Sequence, residues 1–391
     1  MHKPLIRHNL CFCHKRSHEH TQQGDNKEIG DIKMTQSKTK GEKNREAEIE
    51  AASNQTPKQP ETSNGRVVGV DIGTSKIVFS EKKNGSIEFD SQRNAFISVD
   101  YSKFTEKILN QNKIKYHKID NSLIVFGDGA EIFANMLNTE TRRPMRQGLL
   151  NPKESYSVEI IKEILNELVE SSGGSDSKIN FSIPDPPKGS ETDIIYHETV
   201  LARHLTEKGY TSRSINEGLA VIFSELEDES FTGLGISAGG GMCNVCLAYL
   251  SVPLVSFSIN KGGDYIDDAT ASVTGTINTR VRSIKENGFD LQKKPDNDIE
   301  DALHIYYDDL ILSLVKALKE SIVQTSTALK IDRPVPIVLS GGTAKVRGFK
   351  ERFEHFLKTE EIPLDFSKIR IAEDPLNATA KGALIAAMNE N

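Results

Sequence analysis

The stretch that decides the fold is VVGVDIGTSK, which occupies residues 67–76. Its first six residues form an apolar run of strand length, and Gly73 ends that run. A second strand is predicted at residues 76–80, after a tight turn. Glycine lets the backbone approach a phosphate closely, while Thr74 and Ser75 offer hydroxyl and amide donors. The turn is therefore a candidate phosphate loop, although an ordinary β-turn would use the same glycine.

Asp71, two residues before this glycine, is a candidate ligand for a divalent metal ion, held through water. Mg²⁺ takes oxygen ligands, keeps several waters, and often uses only one or two carboxylates together with substrate phosphates. One carboxylate is therefore enough for a magnesium site in this turn.

Two later glycine-rich segments extend this pattern. The first, SAGGGMCN at residues 237–244, joins two strand-like runs, and its three successive glycines would expose backbone amides to an anion. The second, IVLSGGTA at residues 337–344, is a buried strand that ends in a glycine pair. A flat ring such as adenine could lie against that bare backbone. The three segments together predict a phosphate clamp beside a nucleoside pocket.

Strands and helices alternate along most of the chain, which is typical of an α/β protein. The patterns predict helices over residues 130–137, 151–170, 198–208, 217–225, 263–286, 300–330 and 376–388, and strands at 123–126, 180–183, 243–259 and 335–339. Residues 1–65 are polar and show no period, which predicts a disordered tail. We divide the rest into a first domain at 66–230, with an inserted subdomain at about 94–150, and a second domain at 231–391, with an inserted helical part at about 275–330.

The composition limits the classes of function. The chain has 391 residues, a formal net charge of −7 and 37% apolar residues, as expected for a soluble globular protein of two or three domains. The acidic balance argues against a nucleic-acid partner, because such proteins usually carry a clustered basic face. No apolar stretch approaches the ~20 residues of a membrane-spanning helix. With no apolar signal segment at the start of the sequence, we expect a cytoplasmic protein.

The four cysteines fall into two close pairs. Cys11 and Cys13, followed by His14, His18 and His20, could bind a metal, but their spacing matches no common zinc pattern. Translation from Met34 would remove this segment altogether. The second pair, Cys243 and Cys246, has redox-like or metal-like spacing, yet it lies in an apolar strand, which favours two buried small side chains.

An ordered set of short motifs resembles the actin-like ATPases, which include actin, the heat-shock chaperone ATPase domain and bacterial MreB. The similarity covers about residues 67–390 and is greatest to MreB. Its motifs are VGVDIGT at 68–74, FGDGA at 126–130, RRPMRQG at 142–148, NEGLA at 216–220, GGDYIDDA at 262–269, SGGTA at 340–344 and EDPLNATAKG at 373–382.

The resemblance implies an actin-like fold of two pseudo-symmetric α/β domains that close on ATP and Mg²⁺. It places Asp71 at the metal, and Glu217 at the start of a helix where it would orient the attacking water. The plainer interpretation of Glu217 is an exposed helix-start glutamate. The resemblance assigns the following residues to the nucleotide: Gly73, Thr74, Ser75, Lys76, Gly239, Gly240 and Gly241 to the phosphates; Gly262, Gly263 and Asp264 to the ribose and phosphates; Gly341, Gly342 and Thr343 to adenosine.

The chain departs from this family in two places. Ser237 stands where the second phosphate loop usually begins with an aspartate, and Met242, Cys243 and Asn244 replace its small or acidic residues. Residues 278–285, where relatives supply an acidic and a basic side chain to the nucleoside, contain no acidic residue. Losing a carboxylate from a metal site slows hydrolysis more than it weakens binding. ATP binding is therefore the firmer expectation, and ATP hydrolysis stays open.

Three functions compete. The resemblance to MreB favours a cytoskeletal protein that assembles into filaments with bound ATP. The tail shows no clear amphipathic helix whose apolar face would anchor such a filament to a membrane. Ser237 favours a non-hydrolysing adaptor, which ATP would lock into one shape for its partners. A chaperone-like ATPase domain would need a peptide-binding module, for which the sequence after the predicted second domain leaves no room.

Overall fold

The computed structural model describes residues 65–390 except positions 138, 173, 175, 189–193, 326–330 and 332. The metal-binding hypothesis for Cys11 and its neighbours, the possible start at Met34 and the predicted tail at 1–65 lie almost wholly outside the described residues. The chain alternates strands and helices as the sequence predicts, and the fold is α/β.

The strands in chain order are β1 (Val67–Ile72), β2 (Lys76–Lys83), β3 (Ser86–Arg93), β4 (Phe96–Asp100), β5 (Tyr116–Ile119), β6 (Ser122–Phe126), β7 (Met145–Arg146), β8 (Leu149–Leu150), β9 (Lys178–Ile183), β10 (Thr211–Asn216), β11 (Gly233–Ala238), β12 (Cys243–Tyr249), β13 (Val252–Ile259), β14 (Val335–Ser340) and β15 (Phe366–Ile371). The helices are α1 (Lys103–Gln111), α2 (Asp128–Leu137), α3 (Ser157–Leu168), α4 (Ile195–Glu207), α5 (Glu217–Glu225), α6 (Gly263–Thr274), α7 (Asn278–Glu286), α8 (Asp298–Thr325), α9 (Phe349–Thr359) and α10 (Ala378–Asn389).

Two five-stranded sheets have the same topology. The first has the order β10-β9-β1-β2-β3 and the second the order β13-β12-β11-β14-β15. In each sheet, three consecutive strands form an antiparallel meander, and two later strands add in parallel beside the first strand of that meander. A glycine loop joins the first two strands of each meander. The two α/β halves are therefore pseudo-symmetric, as the resemblance to actin-like proteins implies.

The central strands are apolar because both faces of each sheet are covered. Val68, Val70 and Ile72 of β1 are almost fully buried, and every residue of β11 and β14 is buried. Helix α3 contributes Ile161, Ile164 and other apolar residues to the core of the first sheet, and α8 covers the second. The division of the chain into domains at residue 230 stays a prediction.

Helices α5 and α10 pack against each other closely enough to require glycine. A Cβ at position 382 would lie 1.7 Å from the Ala220 carbonyl oxygen, and one at position 218 would lie 2.6 Å from the Cys246 backbone nitrogen. Ala220 packs with Ala383 and Ala386 in a small apolar cluster. This packing fixes the first turn of α5, which carries Glu217, against the second sheet.

Smaller elements extend from both halves. Between β3 and α3 lie the sheet β4-β6-β5, helices α1 and α2, and the hairpin β7-β8. Helices α7 and α8 follow α6 in the second half. Within the part of the chain that the structure describes, no helix is long and apolar enough to cross a membrane.

The structure corrects several predicted elements. The single helix expected over 263–286 is wrong, because Gly275 adopts a left-handed conformation with φ of 65° and ends α6 at Thr274. Turns precede α3, which begins at Ser157 rather than at residue 151. Helices α1 and α9 were not predicted. The helix expected over 217–225 is confirmed with its bounds, since the Asn216 side chain accepts a hydrogen bond from the Leu219 amide at 2.9 Å and caps it.

Candidate functional site

The glycine loops of the two sheets face each other across a cavity of about 520 Å³. Every predicted site residue except Gly262 lines this cavity. They are Asp71, Gly73, Thr74, Ser75, Lys76, Glu217, Gly239, Gly240, Gly241, Gly263, Asp264, Gly341, Gly342 and Thr343. Gly262 precedes α6 as its N-terminal capping residue. The structure therefore brings together residues that are up to 272 positions apart, since Asp71 and Thr343 share one cavity.

The second glycine loop fits against the first only because it lacks side chains. A Cβ at position 240 would lie 2.1 Å from Ser75 Oγ, and one at position 241 would lie 2.3 Å from Thr74 Oγ1 and 2.8 Å from the Gly148 backbone nitrogen. Gly148 N donates to Thr74 Oγ1 at 3.0 Å, which fixes the first loop. Glycine at 240 and 241 is thus required by the close approach of the two loops.

Asp71 is held by a serine of the neighbouring parallel strand. Ser182 Oγ, on β9, donates to Asp71 Oδ1 at 2.7 Å and accepts from the Ile72 amide at 3.0 Å. Burial raises the pKa of Asp71 to about 6, although the Ser182 hydrogen bond lowers it in part. The Asp71 carboxylate is therefore oriented into the cavity. Burying its charge costs free energy, which a bound cation would offset.

Glu217 is the first residue of α5 and is partly buried, so the interpretation as an exposed helix-start glutamate is wrong. Ser237 Oγ donates to Glu217 Oε2 at 3.0 Å, and Asn244, paired with Ser237 across β11 and β12, also hydrogen-bonds the carboxylate. Burial raises the pKa of Glu217 to about 8, and the negative charge of Asp71 adds to that rise. Glu217 and Asp71 are therefore electrostatically coupled across the cavity.

Asp185 is an acidic residue that the sequence analysis missed. It follows β9, and burial raises its pKa to about 6. Its carboxylate accepts from the Asn216 side chain, and its backbone nitrogen donates to Asn244 Oδ1 at 3.2 Å. Asp185 is therefore hydrogen-bonded both to Asn216, which caps α5, and to Asn244, which hydrogen-bonds Glu217. The charge of Asp185 also contributes to the raised pKa of Glu217.

The other end of the cavity is formed by the strand ends of the second sheet and by α7. Gly341 has φ of 92°, and a Cβ there would lie 2.2 Å from the Ala238 carbonyl oxygen. Thr343 Oγ1 donates to the Gly239 carbonyl at 2.8 Å. These contacts bind the glycine pair of β14 to the second glycine loop.

Residues 278–285 of α7 contain no acidic side chain, but the last residue of this helix is acidic. Glu286 follows the stretch 278–285 directly and lines the cavity together with Lys285. Lys285 Nζ also contacts Asp267 Oδ1 at 2.6 Å and donates to the Gly263 carbonyl at 2.9 Å. An adjacent basic and acidic pair, Lys285 and Glu286, is therefore present, and its acidic member lies one position after the stretch 278–285.

Cys243 and Cys246 are buried free thiols, and burial raises the pKa of both above the ordinary thiol value. This confirms the interpretation of two buried small side chains, because a protonated buried thiol is a poor nucleophile and a poor metal ligand.

The residues fit a magnesium ion with a nucleotide better than a metal held by protein alone. Among the described residues, no group of three or more His, Cys, Asp or Glu side chains is arranged to hold a metal ion. Mg²⁺ bound with phosphates needs only one or two carboxylates. The negative charges of Asp71 and Glu217 repel each other. A carboxylate oxygen of Asp71 would hold the ion, directly or through water.

Comparison with solved structures shows that the fold is actin-like. The MamK double helical filament superimposes with a TM-score of 0.61 at 17% identity, over 83% of this chain and 99% of that chain. MreB5 of Spiroplasma citri bound to ADP gives a TM-score of 0.53 at 17% identity, over 82% of this chain and 95% of that one. A non-polymerising mutant of MamK bound to AMPPNP gives a TM-score of 0.50 at 17% identity, over 82% and 98% of the two chains.

The family is also shown by sequence. The family model Volactin matches residues 67–387, so the chain belongs to the volactin family. No curated protein matches the chain. The predicted resemblance to actin-like proteins close to MreB is confirmed.

Proposed function

We propose that the protein is an MreB-like ATP-binding protein of the actin superfamily that assembles into filaments under the control of its nucleotide. The observation that carries the proposal is the meeting of two glycine loops across one cavity, with Asp71 and Glu217 facing it. Loops of this kind present backbone amides to an anion. The cavity volume of about 520 Å³ suits a mononucleotide-sized ligand.

Each group of residues has a proposed role. Amides of the two glycine loops, with Thr74 and Ser75, bind the phosphates, and Asp71 holds the metal. Magnesium, when bound, would neutralise phosphate charge. Glu217 orients a water molecule toward the terminal phosphate, and Ser237 fixes the rotamer of Glu217 through their hydrogen bond. The far end, with Gly341, Gly342, Thr343 and the Lys285–Glu286 pair, takes the nucleoside.

Filament formation is supported by the structural likeness. One similar structure is a double helical filament of MamK, and two others hold AMPPNP or ADP. Copies that join through two different faces form an open filament when the rotation between successive copies does not close a ring. We therefore extend self-association and nucleotide binding to this chain as part of the proposal.

Sedimentation of the full chain tests the filament. We expect material to pellet with Mg-ATP and to remain in the supernatant without nucleotide, with Asp71→Ala remaining in the supernatant in both. Pelleting that is equal with and without nucleotide, or equal for the variant, would contradict nucleotide control.

A second candidate, an ATP-locked adaptor without turnover, is favoured by one observation. Ser237 stands where the resemblance to actin-like ATPases places the second-loop aspartate, and its hydroxyl donates a hydrogen bond to Glu217, so that loop would contribute no charge to the metal. Phosphate release measured in the same samples separates the two. Binding of ATP with neither phosphate release nor a pellet would make the adaptor the better description.

A further inference from the structure

Arg143 makes the most direct side-chain link between the two halves at the phosphate end of the cavity. It precedes strand β7, and its Nη1 donates to Asp264 Oδ2 at 2.7 Å and to Asp264 Oδ1 at 2.9 Å. The same nitrogen donates to Ser75 Oγ at 2.7 Å. One guanidinium therefore contacts the first glycine loop and the start of α6, residues 68 and 121 positions away.

The guanidinium also lies beside the second glycine loop. A Cβ at Gly240 would lie 3.7 Å from Arg143 Nη1, and the Asp264 amide donates to the Gly240 carbonyl at 2.8 Å. Arg143 lines a second cavity of about 560 Å³ rather than the nucleotide cavity itself, and the two cavities share Gly241, Asp264 and Arg282. Arg143 thus stands at the boundary of the two cavities, where both glycine loops end.

The electrostatics of this position favour an anionic partner. Burial lowers the pKa of Arg143, and the charge of Asp264 acts against that change. A guanidinium taken out of water needs a hydrogen-bonded anion. All the side-chain bonds that the described residues give Arg143 use Nη1, which leaves the donors of Nη2 and Nε for a further acceptor.

We propose that Arg143 binds the terminal phosphate of a nucleoside triphosphate and exchanges this partner with Asp264. The proposal rests on the nucleotide site proposed above. A phosphate offers three oxygens and more charge than a carboxylate, and a planar guanidinium binds it in a forked geometry. A nucleoside diphosphate lacks the phosphate that would reach this position, so Arg143 then remains paired with Asp264. The residue therefore sets the preference for triphosphate over diphosphate.

The test compares Arg143→Gln with Arg142→Gln in the full chain. Arg142 is a matched control, because its side chain pairs with Glu154 and lies over the Phe96 ring rather than against Ser75 and Asp264. Affinities for Mg-ATP and Mg-ADP are measured by titration calorimetry. Loss of a charge-assisted contact predicts about 10- to 100-fold weaker ATP binding for Arg143→Gln, with ADP affinity within about 3-fold. Arg142→Gln should leave both affinities unchanged.

A second variant covers the case in which Arg143→Gln does not fold. Asp264→Asn removes the competing carboxylate, and we expect it to raise the ratio of ATP to ADP affinity. A fall or no change in that ratio would contradict the exchange of partners. For Arg143→Gln, an equal loss for both nucleotides, or no loss, would show that the arginine only holds the halves together. A wild-type chain that binds neither nucleotide overturns the nucleotide site itself, which is a different failure.

Discussion

The two sheets of the molecule share a topology but not a chemistry. Asp71 is the fifth of six residues in β1, and Ser237 is the fifth of six in β11. Asp71 brings a carboxylate to the cavity and is hydrogen-bonded by Ser182, whereas Ser237 brings a hydroxyl that donates to Glu217. The duplicated backbone therefore builds two glycine loops, while the side chains give a carboxylate to the first and a hydroxyl to the second.

This difference explains how the buried acids coexist. Burial already raises the pKa values of Asp71, Asp185 and Glu217 to about 6, 6 and 8, and the charges of Asp71 and Asp185 add to the rise for Glu217. A fourth acid at position 237 would increase that repulsion. The hydroxyl of Ser237 instead stabilises the Glu217 carboxylate. The second sheet thus contributes a hydroxyl that orients Glu217, whereas the first sheet contributes the carboxylate of Asp71.

Making the two sheets alike has the largest expected effect. Ser237→Asp should lower the free energy of unfolding of the ligand-free protein by about 2–4 kcal/mol at pH 8, because it buries a further carboxylate beside Glu217. Mg-ATP should restore part of that loss, and phosphate release should rise about 10-fold or more if the missing carboxylate limits hydrolysis. Chemical denaturation and a phosphate assay measure both. Ser237→Asn, which adds the same volume without charge, is the control, and equal losses in the two variants would contradict the electrostatic account.

Adding a methyl group to the second loop should have an intermediate effect. Gly241→Ala places a Cβ against the Gly148 backbone nitrogen and Thr74 Oγ1, so overpacking should cost about 1–3 kcal/mol of stability. Gly239→Ala is the matched control, because its Cβ would have one contact, at 3.4 Å from the Met242 carbonyl oxygen. Denaturant titrations of both should give a much smaller loss for position 239. Similar losses would show that the loops do not approach each other as described.

The pH dependence of stability gives the most specific effect. The unfolded chain ionises Glu217 near its ordinary pKa of 4.5, and the folded protein does so near 8, so ionisation favours unfolding as pH rises between these values. Stability of the ligand-free protein should therefore fall from pH 5 to 8. Glu217→Gln should flatten this slope, and Ser237→Ala should extend the fall to higher pH, because the Ser237 hydroxyl lowers the pKa of Glu217. Unfolding curves across this pH range would refute the assignment if both variants kept the wild-type slope.

Local sequence signals predicted the glycine loops and α5. The loops follow apolar strands, and α5 begins after an asparagine cap, so each needs only adjacent residues to be recognised. The resemblance to actin-like proteins added Glu217, Gly263 and Asp264 to the site. Those residues are confirmed as neighbours in one cavity, while their chemical roles stay predictions.

What the sequence could not show depends on distant packing. Arg143 reaches Asp264 across 121 positions, and nothing in its local pattern distinguishes it from Arg142. Asp185 lies between Pro184 and Pro186, in a loop that follows β9. The position of this loop depends on the parallel pairing of β9 with β1, which no local pattern shows. Gly275 falls within a helical pattern, and its left-handed conformation became evident only from the break between α6 and α7. Each miss is a case in which tertiary structure overrides the local signal.

The most direct test of the account is the thermal unfolding of the full chain with Mg-ATP, for the wild type and for Asp71→Ala. A ligand that binds only the folded state must raise its stability, and at 100 times its Kd by about 2.7 kcal/mol. We expect a rise in Tm of at least about 5 °C for the wild type and almost none for the variant. No rise in the wild type, or an equal rise in Asp71→Ala, would contradict a nucleotide site built on the first glycine loop.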